Sequence, residues 1–199
     1  MREGPPDGSA GAPGIRASTV ASRRVYSGRV LSLDVDEVRF PDGSAGSLEL
    51  IRHPGAAAVV PVIGDPRAAD AEVLLIRQFR YAADRFLYEV PAGRLEPGEP
   101  PVDCARRELL EEAGCTAAAI EPLGGFYTTP GFIDEYIHAF VATGLTRGAP
   151  APERDEFITI EAHPLRRALA MIDRGEIVDG KTMIALLLLG RREHAPGVG

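Results

Sequence analysis

The 199-residue chain is poor in cysteine, with two, and contains no long apolar run. Cys104 and Cys115 would stand about three helical turns apart, too far to bridge each other, and two cysteines make no zinc spacing. A disulfide framework is therefore not the organising device. No apolar stretch approaches the roughly 20 residues of a membrane span, and the N-terminus lacks a charged-then-apolar signal pattern. The leucines at 186–189 read instead as helix core or a subunit contact. The expectation is a cytoplasmic protein with no membrane partner. Positive charge is also in short supply. Lys and Arg number 22 against 29 Asp and Glu, and the net charge of −7 disfavours a nucleic-acid partner. No Ser-His-Asp or nucleophilic cysteine arrangement emerges, His53 and His138 have no paired ligand spacing, and no internal repeat is present.

The 45% hydrophobic content suffices for one substantial core, and the length argues for one main domain. Residues 1–20 are rich in Gly, Pro, Ala and Ser and read as a disordered tail, as do 195–199. Between them, residues 21–54 form a β module. Its segment 24–40 alternates apolar and polar residues, Pro41-Asp42-Gly43-Ser44 makes a turn, and 47–52 returns as a second strand. Residues 55–194 form the main domain. Segments 57–63 and 72–79 are nearly continuous apolar runs, as in central strands covered on both faces. A short strand at 86–90 leads into Pro91-Ala92-Gly93, further strands are expected at 120–127, 135–143 and 157–162, and helices at 165–174 and 181–192. Strands interleaved with helices at these lengths predict an α/β fold with a mixed sheet between helical layers.

The chemistry concentrates in GRLEPGEPPVDCARRELLEEAGC, residues 93–115. Pro100 and Pro101 suit a helix start and Gly114 a left-handed helix end. At 100° per residue, Val102, Ala105, Leu109 and Ala113 form one apolar stripe. Glu108 and Glu112 border that stripe one turn apart, and Glu111 lies further towards solvent. Like charges at this spacing cost a helix about 0.2–0.5 kcal/mol, and acids near its C-terminus also oppose the macrodipole. A divalent cation would offset both, and an all-oxygen donor set suits Mg²⁺ or Mn²⁺ rather than zinc. Taken alone, Arg106, Arg107 and these acids read equally as a solvated face of good helix formers.

The spacing of Gly93, Glu99, Arg107, Glu108, Glu111, Glu112 and Gly114, with Leu109 in the first apolar slot and Cys115 in the last, resembles the signature of the Nudix hydrolases. LIRQFRYAADRFLYEVPAG before it, Pro130 in FYTTPGFIDE after it, and RHPGAAAVV at 52–60 are similar to the ADP-ribose pyrophosphatase branch of that family. The resemblance implies a Nudix-type α/β/α sandwich preceded by an N-terminal antiparallel β-hairpin module that exchanges between the subunits of a homodimer. It implies a metal site made by Glu108, Glu112 and the backbone carbonyl of Ala92, with Glu111 completing or bridging it. Arg107 would orient a neighbouring glutamate, and Glu99 would support the loop. The implied general base is an acid downstream of Pro130, with Glu156 first and Glu153 second, because Arg154 stands where relatives often have an acid. Arg52 and Arg80 would contact phosphate or the terminal ribose, with Gly131 and Phe132 lining the pocket, although Phe132 also reads as core. The implied reaction is Mg²⁺-dependent hydrolysis of a nucleoside diphosphate-sugar, ADP-ribose giving AMP and ribose 5-phosphate. The alternatives are GDP-mannose, another nucleotide sugar or a dinucleotide, and a nucleotide sensor without turnover.

Overall fold

The computed structural model describes residues 16–68, 71–148 and 158–193. Two compact units arise, Met1–Gly55 with Tyr127–Tyr136, and Ala56–Phe126 with Ile137–Gly199. Among the described residues no helix is long and apolar enough to cross a membrane.

The first unit contains a three-stranded antiparallel sheet in the order β1 (Ser18–Ser27), β2 (Ser32–Arg39), β3 (Ala45–Arg52). The turn between β2 and β3 falls at Pro41 to Ser44. There Asp42 accepts from the Ser44 N–H at 2.9 Å and Gly43 takes a φ of 85°. The strand expected at 24–40 is two strands, reversed where the Gly28 N–H donates to the Leu31 carbonyl at 2.9 Å. Alternation with period two continues through such a reversal, so the pattern conceals it. β1 also begins inside the segment read as a tail. It is exposed along its whole length and joins by its backbone ladder, which composition does not register.

Two acids, Asp34 and Asp36, are buried on β2. Cross-strand register sets Arg24 opposite Asp34 and Ser22 opposite Asp36, and both pairs bond. Arg52, at the end of β3, joins Asp34 at 3.3 Å and also pairs with Asp36. The segment Tyr127–Tyr136 attaches to the same strand end, which is why it leaves the main-domain range expected for it. The Ile51 N–H donates to the Phe132 carbonyl, the Asp134 N–H to the Ile51 carbonyl, and the His53 N–H to the Asp134 carboxylate at 2.7 Å.

The second unit is a mixed sheet of seven strands. Its main path runs β10 (Ile158–Pro164), β5 (Glu72–Arg80), β4 (Ala56–Ile63), β9 (Tyr136–Arg147), β8 (Cys115–Tyr127). β4 and β9 are parallel. Alternate residues of β4 serve opposite faces. Ala56, Ala58, Val60 and Val62 pack with α2 (Leu165–Asp173) and α3 (Gly180–Glu193), whereas Ala57 and Val59 pack with Cys104, Ala105 and Leu109 of α1 (Pro101–Ala113). Helices cover both faces, which explains the continuous apolar run and makes the α/β/α sandwich.

β4 and β5 pair only at Val62–Val73 and Ile63–Glu72, then diverge. β6 (Arg85–Glu89) takes the vacated edge of β5, and β7 (Ala92–Arg94) takes that of β4. The Val59 N–H donates to the Pro91 carbonyl at 2.9 Å between them. Residues 89–94 are thus wedged into the split sheet. β7, only three residues long, gave no periodic signal in the sequence.

Arg24, then Arg52, hold the Asp34 carboxyl below the usual carboxylate range. A depressed folded-state pKa contributes stability that is present above the unfolded value and lost as pH falls through the folded one. Asp34→Asn is therefore expected to lower the melting temperature at pH 7, with the gap to wild type closing towards pH 3. A gap independent of pH in thermal melts would contradict this.

Candidate active site

α1 starts at Pro101 after an extended Pro100. It ends where Gly114, at φ 60°, donates its N–H to Leu110 at 3.0 Å. Ala105, Leu109 and Ala113 are buried as the stripe required, and Val102 packs partly buried against the same cluster. Cys115 is buried with them, so the thiol in the last apolar slot is a packing group.

Glu108 and Glu112 keep only 8% and 4% of their exposure, against 43% for the Glu111 side chain. The Ala92 N–H donates to Glu112 Oε2 at 2.8 Å. Arg107 serves the other acids. Its guanidinium grips Glu99 through Nε at 3.0 Å and Nη2 at 3.1 Å, while Nη1 contacts Glu108 and reaches Glu111 at 3.1 Å. The pairing with Glu99, and then the charge of Glu108, raise the Arg107 pKa further, and Glu99 is held below the ordinary carboxylate range by Arg107. Glu99 also accepts the Glu96 N–H at 2.9 Å, which ties down the loop ahead of the helix.

A cavity of about 360 Å³ is lined by residues 92–97 together with Arg107, Glu108, Glu111 and Glu112. Gly93 sits so close to Glu108 that an added Cβ would fall 1.8 Å from Oε1. The absence of a side chain at 93 is what lets the Glu108 carboxylate lie against the loop. Below it, Cys104 Sγ lies 3.5 Å from the Gly93 and Arg94 carbonyls. Burial, then the charge of Glu99, push this thiol up to about 12, so it is a neutral packing group and not a nucleophile.

The donor set suits a hard divalent cation, because three carboxylates face one cavity and two of them are buried like charges one turn apart. Among the described residues, no three acidic, His or Cys side chains are already drawn together as a metal cage. Arg107 supplies the counter-charge to Glu108 and Glu111.

The other residues singled out in the sequence are distributed between the units. Arg80 lies in the second unit, where Nε and Nη2 fork onto Glu89 at 2.7 and 2.8 Å. Arg52, Gly131 and Phe132 belong to the first unit. Arg52 is engaged by Asp34, Asp36 and Asp134, and Phe132 is half exposed, which excludes the reading of it as core. Glu153 and Glu156 lie outside the described residues. Sequence reasoning passed over Glu89, whose signal was an acid at the end of the apolar strand FLYEV. It also passed over Lys181, which pairs with Glu89.

Gly93→Ala is expected to displace the Glu108 carboxylate and lower turnover about 100-fold, the scale of a 1 Å misplacement in an active site. Melting curves recorded beside the assay check that the fold persists.

The Nudix domain family matches residues 52–186. An ADP-ribose pyrophosphatase of Bacillus subtilis (strain 168) is 37% identical over 181 residues, covering 90% of this chain and 95% of that protein. A methanol dehydrogenase activator of Bacillus methanolicus is 38% identical over 177 residues, covering 88% and 93%. The crystal structure of an ADP compounds hydrolase matches with a TM-score of 0.77 at 21% identity, covering 92% of this chain and 96% of that one, and so shares the fold. The signature glutamates of α1 and these relationships agree: the chain belongs to the Nudix domain family and is a Nudix hydrolase.

Proposed function

We propose that the protein hydrolyses the pyrophosphate bond of a nucleoside diphosphate-sugar, with ADP-ribose as substrate and AMP and ribose 5-phosphate as products. The observation that carries this reading is the clustering of Glu108, Glu111 and Glu112 around one polar cavity beside the clamped Arg107. The relative named ADP-ribose pyrophosphatase, aligned over nearly its whole length, supports the substrate.

Glu108, Glu111 and Glu112, with the Ala92 carbonyl, would hold Mg²⁺, or Mn²⁺ in its place. The cation, when bound, neutralises pyrophosphate charge and makes water a better nucleophile. The Ala92 N–H donates to one oxygen of Glu112 and so orients its carboxylate. Arg107 fixes Glu108, and its fork on Glu99 keeps the loop from swinging. Arg80 offers a cation to a phosphate oxygen. Glu156, or failing it Glu153, takes the proton of the attacking water. The water oxygen bonds to one phosphorus as the bridging P–O bond breaks, and two monophosphates leave. By family resemblance, Arg52, Gly131 and Phe132 are the further substrate contacts, and the working form is a cytoplasmic homodimer.

The test is incubation of the purified protein with ADP-ribose and Mg²⁺, with Glu112→Gln in parallel and GDP-mannose and a dinucleotide as competing substrates. Release of AMP and ribose 5-phosphate by wild type, reduced at least about 100-fold in the variant, is expected. Equal rates on GDP-mannose would remove the assignment to ADP-ribose. Saturable binding without product release would overturn turnover itself.

A further inference from the structure

Among the described residues Glu89 is the least exposed acid, at 1%, and it stands at the buried end of β6. Burying a carboxylate carries a desolvation cost of several kcal/mol, so such a group persists only where partners use both of its oxygens. Here they do. Oε1 accepts from Arg80 Nε at 2.7 Å, and Oε2 accepts from Arg80 Nη2 at 2.8 Å and from Lys181. Burial alone would raise the Glu89 pKa, yet Arg80 and Lys181 together hold it below the ordinary range. Arg80 and Lys181 thus favour the ionised carboxylate.

The second cation is itself fixed. Asp179 caps α3 by accepting from the Thr182 N–H at 3.0 Å and the Thr182 hydroxyl at 2.6 Å, and its other oxygen lies 3.0 Å from Lys181 Nζ. The fully buried Thr182 hydroxyl oxygen then accepts the Val90 N–H at 2.9 Å. Two consecutive residues of the wedge, Glu89 and Val90, are thus fastened to the first turn of α3. Two residues further on, the Ala92 N–H holds Glu112.

Arg80 is differently placed. Its side chain is 40% exposed, and among the described residues its only hydrogen-bond and ion-pair partner is Glu89. Nε and Nη2 are committed to Glu89, and among the described residues Nη1 has no hydrogen-bond partner. The charge of Glu112 contributes to raising the Arg80 pKa, so the guanidinium stands within the electrostatic reach of the acidic cluster.

We propose that Glu89 is a positioning residue that, anchored by Lys181 and the Asp179–Thr182 cap, holds Arg80 in one rotamer with its Nη1 edge presented to a substrate phosphate. The inference rests on the reading of Arg80 as a phosphate contact. A free arginine loses side-chain entropy on binding an anion, whereas an arginine already clamped on one edge has lost it during folding. The expected consequence is a gain in substrate affinity with little effect on the chemical step.

The test is steady-state kinetics with ADP-ribose and Mg²⁺ on wild type, Arg80→Ala, Glu89→Gln and the double variant. Glu89→Gln should raise KM about tenfold and change kcat less than about twofold. The double variant should match Arg80→Ala, because the positioning residue has nothing left to position. If Glu89→Gln does not fold, Lys181→Gln is measured the same way, and its KM rise should likewise vanish in the Arg80→Ala background. A KM unchanged by these variants, or a rise that multiplies with that of Arg80→Ala, overturns the positioning role while leaving Arg80 as a phosphate contact. An Arg80→Ala enzyme with the wild-type KM overturns the contact itself.

Discussion

The early divergence of β4 and β5 is the constraint on which the rest of the structure depends. Two strands that pair at only two positions leave backbone donors and acceptors open inside a covered sheet, and those groups must find partners. The chain resolves this by inserting residues 85–94, which ladder onto both freed edges. The cost of the split is therefore recovered in hydrogen bonds. What remains is a non-periodic stretch, Val90-Pro91, held rigidly in the middle of a sheet. A loop at that depth would be untenable elsewhere, and here it delivers the Ala92 amide to Glu112 and a side-chain-free Gly93 to Glu108.

A second conflict is electrostatic. The core edge of α1 holds acids that repel each other and oppose the helix dipole, and burial weakens the solvent screening that would relieve them. The structure answers with hydrogen bonds of fixed direction. Arg107 is shared among Glu99, Glu108 and Glu111, and each bond it makes restricts where the next acid can sit. Lysine at this position would supply the charge without the fork, and the loop carrying Glu99 would lose its bidentate link to the helix. The signature spacing is then a record of reach: seven residues separate Glu99 from Arg107 because the loop must double back onto the helix face for the fork to close.

The parts of the fold that were legible in the sequence are those where burial leaves a periodic trace. The run at 57–63 and the stripe of Ala105, Leu109 and Ala113 mark surfaces that must lose water, so they announce both the sheet and the helix that covers it. β1 had no such trace, since Ser18 to Ser27 is held by its ladder to β2 and by Arg24 on Asp34. The attachment of Tyr127–Tyr136 to Ile51 was hidden for a related reason: main-chain bonds between distant residues leave no signature in side-chain chemistry. In the site, Glu108, Glu112 and Arg107 were readable because helical spacing fixes their relative directions. Glu89 and Lys181 lie 92 positions apart and meet only through the fold.

That last pair also shows why the wedge is anchored from outside the catalytic helix. Ala92 is bonded to Glu112 of α1, and Glu89 to Lys181 of α3, on helices that pack on opposite faces of the sheet. Only Val90 and Pro91 lie between the two bonded residues. A displacement of α3 that moved Glu89 would reach both Arg80 and the Ala92 amide, because Val90 is pinned to Thr182 and cannot absorb it. Glu89 holds the arginine and the Val90–Thr182 bond holds the backbone that leads to the Ala92 amide, so a reaction needing a phosphate contact and a set of carboxylates finds each fixed by its own bond from one short segment.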